Sequence, residues 1–208
     1  MPPPPDPRAV FLNIPYDDEF RSLYMAYIVG LFQLDLIPHL PSEIAGGERR
    51  LNRISALIRS CRCSLHDLSR IEVSVSSSAT PRFNMPLELG MTITWAEMRP
   101  KHHTWFVLES EPYRLQRSTS DLNGTDPHIH GGTPLGVLRE LRNAFLWDNA
   151  PAVQEMLDMH QFVENNLGAV LQRNGTKNPY VRSVFRELCW LTSNLTALLR
   201  QQRLAPRP

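Results

Sequence analysis

The chain has 208 residues, 42% of them apolar, and its 22 basic and 21 acidic residues leave a formal charge of +1. That near-balance argues against a protein whose main task is to grip a nucleic-acid backbone or an anionic membrane, since either needs a concentrated basic surface. The length supports one substantial core with a smaller extension.

Three cysteines, an odd number, cannot supply a disulfide framework and point to reduced thiols in a cytoplasmic protein. Met1 and the four prolines after it lack the basic-then-apolar pattern of a secretory signal, so residues 1–8 are expected to form a disordered lead-in. The longest apolar stretch, Leu23 to Phe32, is about half of the roughly 20 residues that cross a bilayer.

Ala9 to Ile14 is a short apolar run that reads as a first strand, and Asn13-Ile14-Pro15-Tyr16-Asp17-Asp18 reads as a turn into a helix. Phe20, Leu23, Tyr24, Tyr27, Ile28 and Leu31 fall at three- and four-residue spacing, which predicts an amphipathic helix. A second strand is expected over Leu36 to Leu40. Gly46-Gly47 then precedes a helix whose apolar face holds Leu51, Ile54, Leu57, Ile58 and Cys61. Arg62 to His66 reads as a third strand, Ser74 to Thr80 as a polar loop, and Pro81 to Asn84 as the lead into a helix ending near Met98. Thr104 to Glu109 reads as a fourth strand, Arg114 to Gly132 as a loop with turn residues, and Thr133 to Trp147 as a helix.

Strands that alternate with helices in this way need crossover connections, which predicts a doubly wound α/β domain over residues 9–147 with a mostly parallel sheet. Beyond Trp147 two long helical stripes follow without a strand between them. Residues 148–208 are therefore expected to form a helical hairpin, its second helix starting at Asn178-Pro179, that packs on the sheet domain or serves assembly.

Ligands of such sheets sit at the carboxyl ends of the strands, where Asn13, Tyr16, Asp17, Arg49, Asp67, Ser69, Asn84 and Glu88 converge. Asp17 or Asp18 suits a helix cap. Gly46-Gly47 with Arg49 and Arg50 suits a phosphate cradle, or equally a flexible turn with solvated arginines. If Asn84 caps its helix, Glu88 stands one residue too late for a capping box. Hemmed by Met85, Leu87, Leu89 and Met91, it reads either as a buried carboxyl with a raised pKa or as a solvated surface glutamate.

A metal site finds little support. Cys61, Cys63 and His66, then His102 with His103, and His128 with His130, lack the paired spacing of structural zinc ligands. On a strand Cys61 and Cys63 should share one face and His66 the other, so these read as core cysteines and loop histidines. A nucleophilic serine or cysteine is also unsupported, because no Gly-x-Ser-x-Gly occurs and Cys189 lies in a helical stripe without a nearby histidine.

Asp67-Leu68-Ser69, then Asn84-Met85-Pro86-Leu87-Glu88-Leu89-Gly90, together with Phe11-Leu12-Asn13-Ile14-Pro15-Tyr16-Asp17, resemble the bacterial TIR-like and nucleoside 2-deoxyribosyltransferase-like proteins over about residues 9 to 147. The resemblance implies a flavodoxin-like sheet and a catalytic carboxylate, Glu88, acting at the N-glycosidic bond of a nucleotide such as NAD, used as substrate rather than cofactor. It implies that Asn84 and Asp67 orient the sugar or the glutamate, that Tyr16 and Asn13 border base or ribose, and that Arg49 meets phosphates. Such proteins act in defence against phage when a partner drives assembly, so the resemblance also implies self-assembly, or docking of an activating protein, through residues 148–208. A deoxyribosyl or ADP-ribosyl transferase, and a non-catalytic nucleotide-sensing or scaffold module, are the alternatives.

Overall fold

The computed structural model of the protein describes residues 5–43, 49–71, 83–146 and 149–204. Its centre is a five-stranded sheet in the order β2-β1-β3-β4-β5, every pair parallel. The strands are β1 (Asp6–Asn13), β2 (Ile37–His39), β3 (Cys61–Asp67), β4 (Thr104–Glu109) and β5 (His128–Ile129). The helices are α1 (Arg21–Gln33), α2 (Arg50–Ser60), α3 (Asn84–Met98), α4 (Arg114–Ser118), α5 (Pro134–Phe145), α6 (Val153–Arg173) and α7 (Arg182–Leu204). This is a flavodoxin-like doubly wound fold with a C-terminal pair of helices.

Alternation along β1 builds both layers. Val10 and Leu12 face a core shared with α1 and α5, whereas Ala9 and Phe11 face Ile54, Leu57 and Ile58 of α2. Leu89 of α3 and Val107 of β4 continue the second layer. β1 begins at Asp6, inside the segment expected as lead-in, and pairs there with Cys61 before the register shifts. Cys61 and Cys63 do not share a face: Cys61, which also ends α2, packs against that helix, and Cys63 packs against the α1 side. Pro38 sits in β2, where an edge position tolerates a residue without an N–H.

α1 is not amphipathic. Nine consecutive residues from Leu23 to Leu31 are buried, because α5, α6 and α7 enclose the sides that the sheet leaves open. Gly30 permits this crowding, since a Cβ there would lie 2.5 Å from Leu141 Cδ1. Met156, Val163, Val170, Val184, Phe185 and Leu188 of the hairpin belong to the same core as α1. Arg200 then caps α1, donating to the carbonyls of Phe32 and Gln33 and pairing with Asp35 at 2.9 Å. Pro179 does not start α7; it lies in the turn that precedes Arg182.

The segment Arg114 to Gly132, expected as loop, contains α4 and the two-residue β5. β5 is followed by His130, whose N–H donates to the Glu109 carbonyl, and then by α5, whose N-cap Thr133 accepts from Gly136 N at 3.1 Å. Among the described residues no helix is long and apolar enough to cross a membrane.

Candidate active site

The strand order turns back between β1 and β3, and such a reversal opens a crevice at the carboxyl ends of the strands. A cavity of about 160 Å³ lies there, lined by Asn13, Tyr16, Pro41, Arg50, Asn84 and Glu88 among others. Four of the eight residues expected at the site, Asn13, Tyr16, Asn84 and Glu88, therefore meet.

Glu88 is held by the start of α3. Phe83, not Asn84, is the N-cap, so Asn84 is the first helical residue and the expected side-chain cap is absent. Pro86 falls in the first turn, where a missing N–H costs little, and the Leu87 N–H donates to the Phe83 carbonyl at 3.1 Å. This entry turns Glu88 inward, 3% exposed, beside Met85 and Leu89 in the row of buried positions on α3. Burial pushes its carboxyl up to about 7, against the pull of the Arg50 guanidinium. Of the two readings left open by the sequence, the structure shows the buried carboxyl.

Tyr16 forms part of the cavity wall. Burial first, and then the charge of Glu88, push its phenol well above the usual value, so it stays protonated and able to donate. Asn13 Nδ2 donates to the Met85 carbonyl at 2.9 Å and lies 3.0 Å from His66 Nδ1, which ties the end of β1 to the turn that carries Glu88. Burial holds His66 down to about 3, so its ring is neutral and its Nδ1 accepts that N–H.

The other four residues stand elsewhere. Arg49 is the exposed residue before α2, and the guanidinium on the cavity belongs to Arg50. Arg50 is exposed as well, but it precedes the buried Ile54, Leu57 and Ile58 by four, seven and eight residues, a helical spacing that sets it on the side from which it reaches the cavity. Gly46 and Gly47 lie outside the described residues, as does most of the loop after β3.

Asp17 Oδ1 accepts from Phe20 N at 3.0 Å and so caps a short 3-10 turn, while its Oδ2 takes Arg70 Nε at 3.0 Å. Asp67 and Ser69 do not line the cavity. Asp67 is fully buried and accepts from Tyr27 Oη at 2.6 Å and from Ser69 N and Oγ at 2.9 and 2.6 Å. His130 Nε2 lies 3.2 Å from Asp67 Oδ2. Burial pushes the Asp67 carboxyl up, but His130, Ser69 and Tyr27 together hold it below the usual value. Asp67 thus fastens β3, α1 and the turn after β5 behind the crevice.

The histidines are more than loop residues, since His66, His103 and His130 are all buried. His103 bridges Ser64 Oγ at 2.8 Å and the Cys61 carbonyl at 3.0 Å. Burial pushes the thiols of Cys61 and Cys63 up to about 12, which makes them inert packing groups. Among the described residues no group of three or more His, Cys, Asp or Glu side chains is placed to hold a metal ion.

No protein-family model matches the chain, and no curated protein matches its sequence. The functional reading therefore rests on the crevice, whose polar side chains among the described residues are one buried carboxyl, one phenol, one guanidinium and two amides.

Proposed function

We propose that this protein is a nucleotide N-glycosidase that cleaves the bond between a ribose and its base, with Glu88 as the catalytic carboxylate. The observation that carries the reading is the position of Glu88: 3% exposed, at the reversal of strand order, on a cavity it shares with Asn13, Tyr16 and Arg50. A carboxylate there stabilises the positive charge that develops at the anomeric carbon as the base departs, or bonds to that carbon before water displaces it.

The chemistry favours a pyridinium nucleotide such as NAD. Glycosidases that must protonate their leaving group use a second carboxyl, and among the described lining residues Glu88 is the only one. A pyridinium base needs no such acid. The C–N bond breaks with its electron pair going to the ring nitrogen, the base leaves neutral, and water adds to the sugar and loses a proton. In this reading Asn84 and Asn13 meet sugar hydroxyls, Tyr16 covers the ring, and Arg50, in place of Arg49, meets a phosphate; their common place on the cavity supports it.

The test is to incubate the protein and its Glu88→Gln variant with NAD and a panel of nucleosides and nucleotides, and to follow base release by chromatography. Release by the parent, reduced about 100-fold or more in the variant, sustains the reading. A nucleotide that raises the melting temperature yet is recovered unchanged overturns it in favour of a sensing module.

A further inference from the structure

The hairpin of α6 and α7 does more than cover α1, because the turn between its helices ends against the crevice. Tyr180 Oη donates to the Asp17 carbonyl. The Tyr180 ring centroid stands 5.2 Å from that of Tyr16 and 4.9 Å from that of Tyr24, and Tyr24 Oη in turn donates to the Pro179 carbonyl at 3.3 Å. Asn178 Oδ1 accepts from Tyr180 N at 2.9 Å and fixes the backbone that presents the ring. On its other side Tyr16 lines the cavity of Glu88.

This turn has little freedom of its own. Four and five residues after Tyr180, Val184 and Phe185 are buried in the core of α1, and Phe185 reaches Tyr24 at 6.5 Å between centroids. At the far side Glu187 joins Arg173 at 2.7 Å and Asn174, closing the base of the hairpin. A displacement of α7 along α1 therefore carries Tyr180 with it, and the segment Tyr16-Asp17 follows through the hydroxyl tether and the ring stack. Packed elements of this kind shift between discrete arrangements rather than deforming smoothly.

We propose that Tyr180 is a positioning residue for the Glu88 crevice: it pins the wall formed by Tyr16, so that the hydration of Glu88 depends on how the hairpin is docked. The coupling concerns the geometry of the wall; its consequence for turnover rests on the glycosidase reading. The groups that face Glu88 are Arg50 from α2 and Tyr16 from the segment after β1, and Tyr180 acts on it through Tyr16.

The experiment follows the Glu88 carboxyl by carbon NMR titration in the full chain, a readout that needs no substrate. In Tyr180→Ala the wall loosens, water reaches the carboxylate, and the titration midpoint falls by about one pH unit. Tyr180→Phe keeps the stack and restores most of the parent midpoint. Val163→Ala, a cavity in α6 away from the crevice, lowers the melting temperature and leaves the midpoint where it is in the parent. If Tyr180→Ala does not fold, Tyr180→Leu retains bulk without ring or hydroxyl and carries the test. An unchanged Glu88 midpoint in the folded Tyr180 variant, or an equal fall in Val163→Ala, overturns the proposal. With base release established, Tyr180→Ala lowers kcat more than it raises KM. If base release fails, the titration still decides whether the wall is coupled.

Discussion

Asn13 Nδ2 donates to the Met85 carbonyl at 2.9 Å, a bond between the last residue of β1 and the second residue of α3, 72 positions away in the chain. Asn13 is 4% exposed, so the bond lies out of water. It is a direct polar link between the strand that opens the crevice and the helix that carries its acid.

Asn13→Ala removes this donor and the contact with His66 Nδ1, leaving a buried carbonyl and a buried ring nitrogen without that partner. Stability should fall by about 2–3 kcal/mol. Urea unfolding checks it through a lower midpoint with the slope retained. A loss below half a kcal/mol, on the order of a typical surface substitution, would show that water replaces the amide.

The buried acids and the buried imidazoles together set the pH dependence. Glu88 and Glu109 are both pushed up to about 7, mainly by burial, from an ordinary value of 4.5. A carboxyl whose pKa rises on folding binds more protons in the native state, so stability falls as pH climbs from 4.5 to about 7 and is level above that. Each group contributes up to about 3 kcal/mol to that fall. Asp67 acts oppositely: its lowered pKa gives stability that is present above its unfolded value of 3.8 and lost as pH drops below it. His66 and His103, whose pKa burial lowers, work against the two glutamates. The unfolded chain binds protons that the folded rings refuse, so for His66 stability rises from about pH 3 to 6.5. The opposing contributions should leave a broad plateau across that window in denaturant unfolding. Glu88→Gln and Glu109→Gln each remove one acid's share, so each variant should gain stability on the parent as pH climbs from 4.5 to about 7, and a difference that does not change with pH contradicts the burial argument. In the proposed reaction, activity rises through the same window as Glu88 loses its proton.

Much of the architecture was legible because its signals are local. β4 coincides with Thr104 to Glu109 and α3 with Asn84 to Met98, where β-branched and aromatic residues, or a proline in a first turn, state the element directly. β5 left no signal, since two residues carry no periodicity. α1 was legible as a helix but not as a buried one, because its enclosure comes from Met156, Val163 and Phe185 more than 120 residues later. At the site, Glu88 could be singled out but not assigned inside or outside. Asp67 stood at the right strand end, yet Tyr27 and His130, the residues that occupy it, come from distant elements. Tyr180 meets Asp17 across 163 positions, a separation that no pattern along the chain reveals.

Two glycines should respond differently to alanine. At Gly136 a Cβ would lie 1.8 Å from the His130 carbonyl oxygen, so the start of α5 must move away from the turn after β5. At Gly30 the nearest atom, 2.5 Å away, is the terminal Cδ1 of Leu141, which can shift within the core. Gly30→Ala should cost about 1–3 kcal/mol, and Gly136→Ala more than that or failure to fold. Thermal unfolding ranks the two, and the reverse order would contradict the fit of α5 against the turn.

The bond from Tyr27 Oη to Asp67 Oδ2, 2.6 Å long, lets the Asp67 network be tested with almost no change of shape. Tyr27→Phe keeps the ring stacked on Phe20, whose centroid is 6.2 Å away, and deletes only the donor. With Asp67 ionised, a hydrogen bond to a buried anion is lost, which should cost about 1.5–3 kcal/mol. The hydroxyl is one of the groups holding the Asp67 carboxyl down, so its removal moves that pKa up and brings acid unfolding to a higher pH. Below the Asp67 pKa the carboxyl is neutral and the loss shrinks. Urea midpoints of parent and variant should therefore differ most near neutral pH and converge in acid. A gap that stays constant with pH would mean that Tyr27 contributes only packing, and that Ser69 and His130 hold the Asp67 charge without it.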